Sequence, residues 1–328
     1  MIYLFYIFAG LLVWFSYRSF RGGMDYLSYF KKESGNTPTI YLPFVSVIAP
    51  IKGVDDGLRE NLSALATQNY PSFEVIFVVD DAQDPAVSIV KGLSETIPKS
   101  LSTKLIVARK ATASAQKAEN LREGVLHTDS RSDAFVFVDS DARPSSEWLR
   151  SLIRPLNDTT IGATTGYRWY ISETATFASE LRGMWNASIA SALGPNQDGN
   201  FCWGGSMAMR RDTFEKLKIS ERWRNIVSDD FAVTTVLREA GLRIKFVPQA
   251  LTASIGNCSV AELFEFTNRQ MKITRVYAQN LWLLSFFGSG LFTVVVIAAT
   301  YIALTAKDAL PFWFSVAVLS LKIINLVQ

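Results

Sequence analysis

FVFVDSDARPSSEWL (residues 135–149) runs four apolar residues straight into two carboxylates, Asp139 and Asp141, with Arg143 and Pro144 directly behind. A short run that is apolar on both faces reads as a strand covered on both sides, the pattern of a parallel sheet flanked by helices. A carboxylate at the end of such a strand is costly unless it is solvated, paired or bound to a metal. Two of them one residue apart can reach a single hard cation, which prefers oxygen ligands.

The flanking sequence repeats the pattern. FVSVIAP (44–50), FEVIFVVDD (73–81) and KLIVAR (104–109) are further short apolar runs, and DAFVFVDSD (133–141) contains the quoted one. Helical segments at 57–68, 84–97 and 116–127 separate them, so residues 44–257 read as an α/β domain with a parallel sheet covered on both sides. In open sheets of this kind ligands bind beyond the carboxyl ends of the strands. Informative residues stand there: Pro50 opens PIKGVDD with Lys52 in it, Asp80 and Asp81 end the second run, and Lys117 begins the helix after the third. Asp80 and Asp81 also have a plain reading as a helix cap with surface acids, and Lys117 as a surface lysine.

Further on, NFCWGGSMAMRRDTF (200–214) breaks at Gly204-Gly205 before a small-residue strand, where missing side chains allow close approach of backbone or substrate. VSDDFAVTTVLREAGLRIKFVP (227–248) starts an amphipathic helix with Asp229 and Asp230. Capping explains one acid; a carboxylate presented at a cleft can also act as a general base on a hydroxyl. The single histidine, His127, leaves little room for a His base or triad, and Cys202 and Cys258 lie in no CxxC or Cys/His cluster. With 33 Lys and Arg against 30 Asp and Glu, the net charge of +3 points away from nucleic acid as a partner.

The hydrophobic fraction of 49% is concentrated at the two ends. Residues 1–20 read as an uncleaved anchor, because Arg18 and Arg21 follow the apolar run instead of preceding it. A linker is expected over 21–43. ELFEFTNRQMKITRVYAQNLW (262–282) is amphipathic, basic and aromatic, and makes 258–280 an expected interfacial helix. Residues 281–304 are long enough to span a bilayer. A second run at about 309–327 carries Lys322 and ends with the chain, which reads as a truncated span within 281–328. Basic residues flank the central domain on both sides, placing it in the cytosol and the N-terminus outside, with the chain integral to a plasma or inner membrane.

Taken in order, APIKG, NLSALATQNYPSFEVIFVVDD, the DSD at 139–141, GGSMAMRRD and SDDFAVTTVLREAG resemble glycosyltransferase family 2-like enzymes, and within them the ceramide glucosyltransferase branch and its bacterial relatives. That resemblance implies a GT-A fold, a nucleotide-sugar donor (UDP-linked, such as UDP-glucose), a lipid acceptor and Mg²⁺ or Mn²⁺. It makes Asp80, Asp81, Lys117 and Asp139, with Pro50 and Lys52, the donor site, and Asp139 and Asp141 the metal and diphosphate element. Asp230 takes the place of the general base, with Asp229 where Glu is usual. Gly204, Gly205, Arg269, Gln270, Lys272 and Arg275 become acceptor or diphosphate candidates. The family's (Q/R)xxRW motif is altered here to RQMKI, with Lys272 for Arg and Ile273 for Trp. Lysine keeps the charge and loses the planar fork. The implied reaction is a metal-dependent inverting displacement on a lipid hydroxyl. A polysaccharide synthase, or a scaffold that kept the fold, is the alternative.

Overall fold

A computed structural model describes residues 2–34, 41–98, 101–305, 310–314, 316–317 and 320. The chain begins with one helix, α1 (Ile2–Ser34), and then alternates strand and helix: β1 (Val45–Pro50), α2 (Leu58–Ala66), β2 (Phe73–Val79), α3 (Ala86–Ser94), β3 (Ser102–Val107), α4 (Gln116–Leu126), β4 (Ala134–Val138) and α5 (Trp148–Ile153). The pattern then changes to β5 (Ile161–Thr165), β6 (Arg168–Ile171), α6 (Phe177–Ala190), β7 (Ser206–Arg210), α7 (Arg211–Lys216), α8 (Ile219–Arg222), α9 (Asp229–Glu239), β8 (Arg243–Phe246) and β9 (Thr252–Ile255). Two helices follow, α10 (Val260–Tyr277) and α11 (Gln279–Thr305).

The main sheet has the order β3-β2-β1-β4-β7-β5-β8. β1 pairs in parallel with both β2 and β4, so the chain steps outward from β1 to β3 and then returns to the other side of β1. The gap between β1 and β4 is therefore the topological switch point, where open α/β sheets bind ligands. The expectation of a parallel sheet needs one correction: β7 runs antiparallel to β4 on one side and to β5 on the other. The sheet is thus mostly parallel, with one reversed strand delivering Gly204 and Gly205 to the carboxyl end of β4. β6 and β9 form a separate two-stranded parallel sheet.

Alternation along the strands sends successive side chains to opposite faces. Ala134, Val136 and Val138 join Val47, Phe77 and Trp148 in one core layer, while Phe135 and Phe137 join Ile48, Phe214 and Trp223 in the other. The Trp148 indole N–H donates to Ser206 Oγ at 2.8 Å, and Ser206 Oγ donates to the Ala250 carbonyl at 3.0 Å. The polar atom that a buried tryptophan brings into the core is thereby paired.

The chain divides into two compact units, residues 30–259 and a second made of 1–29 with 260–328. Residues 21–34, expected as linker, instead continue α1, with no proline among them to end the helix. Residues 35–40 of that linker lie outside the described residues. The last turn of α1 belongs to the first unit, where Glu33 pairs with Lys245 at 3.0 Å and its carbonyl accepts from Gln249 Nε2 at 2.6 Å. In the second unit Phe5, Ala9 and Leu12 of α1 pack with Val295 and Ala299 of α11. Tyr3–Glu33 and Gln279–Ile302 are helical stretches long and apolar enough to cross a membrane. Most of the second C-terminal run falls outside the described residues.

Candidate active site

The DSD turn leaves β4 at the switch point and is clamped from three sides. The Asn61 amide of α2 donates to the Ser140 carbonyl at 3.2 Å and accepts from Arg143 Nε at 2.9 Å. Arg143 and Ala253 of β9 exchange backbone hydrogen bonds at 2.7 and 3.0 Å, and Ser254 Oγ donates to the Asp141 carbonyl at 3.2 Å. Arg143, which follows the carboxylates so closely in sequence, thus fixes the turn that carries them.

Segments far apart in sequence converge on this turn. Lys117, in the first turn of α4, reaches Asp139 Oδ1 at 2.7 Å and Asp229 Oδ1 at 3.3 Å. Asp229 is buried in the first turn of α9, and its Oδ2 has no hydrogen-bond partner. Burial pushes its carboxyl up to about 6, with the charges of Asp230 and Asp139 adding to the rise and Lys117 opposing it. Lys117 in turn is held above its ordinary range, because the negative charges of Asp139, Asp229 and Asp230 outweigh its desolvation. Asp230 has different partners. Its Oδ1 accepts from Phe231 N–H at 2.8 Å and from the Ser228 hydroxyl, and its Oδ2 lies 3.4 Å from the Gly204 N–H.

Gly204 and Gly205 are required by closeness. A Cβ at Gly204 would fall on Asp229 Oδ2 and 2.8 Å from Lys117 Nζ; one at Gly205 would fall on the Trp203 ring and 2.7 Å from Asp139 Oδ2. The two glycines let Asp229, Lys117, Trp203 and Asp139 approach the backbone more closely than a residue with a Cβ would allow.

Sequence reading missed Arg168, the first residue of β6. Its guanidinium donates to Asp141 Oδ2 at 2.9 Å, Asp141 Oδ1 at 3.4 Å, Asp139 Oδ2 at 3.3 Å and the Tyr170 hydroxyl at 2.8 Å. It lies 5.1 Å from the Trp203 ring centre and 5.3 Å from that of Tyr170. Asp55, in the loop after β1, was missed as well: partial burial and the nearby Asp141 charge raise its carboxyl above the ordinary range. Arg168 is brought to the carboxylates by the β6–β9 pairing, which no local signal in the sequence announces.

Four of the remaining sequence candidates stand on the loops and strand ends after β1 and β2. Pro50 ends β1, buried and opposite Val78, and Lys52 is exposed in the loop beyond it. Asp80 and Asp81 follow β2 at the same edge. Asp81 pairs with Lys110 at 3.1 Å and accepts from the Gln83 N–H, which together lower its carboxyl pKa. The helix-capping contact nearby is made by Asp84, through the Ala86 N–H at 2.8 Å, so capping does not account for Asp81. Arg269, Gln270, Lys272 and Arg275 are on α10 of the second unit, where Arg275 sits 5.3 Å above the Trp282 ring.

Residues 18–326 match the profile of Glycosyl transferase family 21. The chain belongs to that family. It is 28% identical over 222 residues to the probable glycosyltransferase YdaM of Bacillus subtilis (strain 168), covering 64% of this chain and 50% of YdaM. Ceramide glucosyltransferase 3 of Caenorhabditis elegans is 33% identical over 104 residues, 30% of this chain and 22% of that protein. This family 21 chain thus spans about half the length, or less, of these curated relatives. Among solved structures, the mannosyltransferase PcManGT from Pyrobaculum calidifontis, in complex with GDP-Man and Mn²⁺, superposes with a TM-score of 0.53 and 19% identity, covering 98% of both chains. That likeness establishes the GT-A arrangement of the family 21 fold.

The donor set of the family 21 site fits a hard divalent cation in kind: Asp139 and Asp141 supply carboxylate oxygens one residue apart, with Asp55 near. Among the described residues no group of three or more His, Cys, Asp or Glu is placed to hold a metal. A site of two carboxylates suits a cation that takes its remaining ligands from phosphate oxygens and water.

Proposed function

We propose that the chain is a membrane-held inverting hexosyltransferase, which moves a sugar from a nucleoside-diphosphate donor, UDP-linked in the first instance, to the hydroxyl of a membrane lipid. The observation that carries the reading is the convergence of Asp139, Asp141, Lys117, Asp229 and Asp230 at the switch point, packed against the backbone of two glycines. The acceptor oxygen attacks the anomeric carbon as the bond from that carbon to the diphosphate breaks, and the hydroxyl proton passes to Asp230. The nucleoside diphosphate leaves with the electron pair, and one displacement inverts the anomeric centre. Lys117 meets the charge that develops on the leaving group. Asp229 keeps Lys117 aimed at the space beside Gly204. Mg²⁺ or Mn²⁺ held by Asp139 and Asp141 would supply further charge neutralisation at the diphosphate.

A lipid acceptor is supported by three features. Relatives named as ceramide glucosyltransferases match the chain. Two helices are long and apolar enough to cross a membrane. Phe177, Leu181 and Met184 of α6 are exposed apolar side chains, with Phe177 79% exposed. Their α6 spacing of i, i+4, i+7 is one helix face, and α6 is tied to β6 by the Asn186 amide donating to the Arg168 carbonyl at 2.8 Å. Arg18, Arg21, Lys31 and Lys32 in the C-terminal half of the first of these helices support a cytosolic site and an external N-terminus.

The test is nucleotide release by the purified full chain in lipid nanodiscs with Mn²⁺ or Mg²⁺, across UDP- and GDP-linked sugars and a lipid panel containing ceramide and diacylglycerol. Wild type should release nucleotide only when an acceptable lipid is present, and Asp139→Asn should release none. Binding of a nucleotide without any turnover on the whole panel would favour a scaffold that kept the fold.

A further inference from the structure

Every carboxylate oxygen of the Asp139–Asp141 pair faces a cation of the protein itself. Lys117 takes Asp139 Oδ1, and Arg168 takes Asp139 Oδ2 and both oxygens of Asp141. Arg168 is no loose surface arm. Its side chain is 15% exposed, held between the Trp203 and Tyr170 rings and bonded to the Tyr170 hydroxyl. Arg182 also stands over Tyr170, 4.2 Å from the ring centre, and its Nη2 donates to the Gly256 carbonyl at 2.9 Å. The aromatic slot is therefore itself fixed.

A divalent cation cannot share these oxygens with the guanidinium. Arginine keeps its charge at any accessible pH, and two positive groups in one partly buried place repel each other. Arg168 must leave the carboxylates for a cation to enter, and a desolvated guanidinium without a partner is costly. A diphosphate supplies that partner: its oxygens match the planar fork and bring the missing negative charge.

We infer that Arg168 couples cation binding to donor binding: it occupies the cation's place on Asp139 and Asp141 in the donor-free protein and passes to the diphosphate when donor and cation enter together. The inference rests on the donor-site reading above and adds a positioning residue to it. Three consequences follow. The donor-free protein binds Mn²⁺ weakly. Nucleoside diphosphate tightens Mn²⁺ binding, and Mn²⁺ tightens nucleotide binding by the same factor, since linkage is reciprocal. The carboxylates stay neutralised throughout, which keeps the DSD turn in place before the donor arrives.

The experiment measures Mn²⁺ affinity by electron paramagnetic resonance on the full chain in detergent, with Mn²⁺ alone and with saturating UDP or, in parallel, GDP. Wild type, Arg168→Gln, Arg168→Lys and Asp139→Asn are compared. In wild type the nucleotide should tighten Mn²⁺ binding by about tenfold or more, within the ordinary range of such couplings. Arg168→Gln should tighten binding of Mn²⁺ alone by about tenfold and shrink the coupling toward one. Arg168→Lys, which retains charge and bulk, should fall between and serves if the glutamine variant does not fold. Arg168 variants that bind Mn²⁺ alone no more tightly than wild type, while Asp139→Asn abolishes binding, overturn the coupling and leave the donor site standing. Loss of no Mn²⁺ binding in Asp139→Asn, with or without nucleotide, overturns both.

Discussion

Asp229 and Asp230 are adjacent and have different partners, and the proposed function gives them different work. Asp229 is buried, faces Lys117 and keeps one oxygen without a donor; Asp230 is half-buried and accepts from α9's first turn and from Gly204. Burial lifts the Asp229 carboxyl from an ordinary 3.8 to about 6. The folded chain therefore holds a proton over that interval which the unfolded chain has released. By linkage, this group makes folding stability fall as pH rises through that window and leaves it flat above about 6. Urea midpoints of wild type and Asp229→Asn, taken across this range, should differ by a pH-dependent amount that disappears as a slope above the window. A parallel pair of curves would contradict the assignment. Gly204→Ala places a methyl against Asp229 and Lys117, and should weaken nucleotide binding at least tenfold by calorimetry while the far-ultraviolet circular dichroism is retained; unchanged affinity would remove the donor from this space. The pair of acids was legible in sequence because capping needs only one of them. Their division of labour was not, since it depends on which neighbour each meets after folding.

At the scale of elements, β1, β2 and β4 were legible because apolar runs bounded by Pro or Asp have no other good reading. The reversed β7 was not, because strand direction is set by where the chain re-enters the sheet and leaves no local signature. The same holds for β6 and β9, four-residue strands whose pairing joins segments more than eighty residues apart and brings Arg168 to the carboxylates. Trp148 of α5 supports this whole edge through Ser206, the residue after Gly205. Trp148→Ala should cost about 3–5 kcal/mol in chemical denaturation, and Trp148→Phe clearly less. An alanine variant within 1 kcal/mol of wild type would show that the edge is held by other contacts.

For the molecule as a whole, composition located the apolar ends, and the structure gives them helical form, with Phe5, Ala9 and Leu12 packed on Val295 and Ala299. The first part of the expected linker, 21–34, became a continuation of α1 because the linker's prolines, Pro38 and Pro43, come only after it. Membrane fractions washed in alkaline carbonate should retain the full chain in the pellet; release into the supernatant would contradict a spanning role for α1 and α11. The altered RQMKI segment on α10 keeps two basic residues, Arg269 and Lys272, and Arg275 follows two positions after it. Its contribution is best read from lipid selectivity, with Lys272→Ala expected to change the acceptor KM more than the donor KM.

The central claim is that Asp230 takes the acceptor proton at a donor site it does not itself build. It is tested most directly by single-turnover transfer of radiolabelled sugar to lipid in wild type and Asp230→Asn, with nucleotide affinity measured on the same samples. The account predicts nucleotide affinity within about threefold of wild type and transfer slowed by 10²–10⁴ or more. Transfer at the wild-type rate in Asp230→Asn would contradict it.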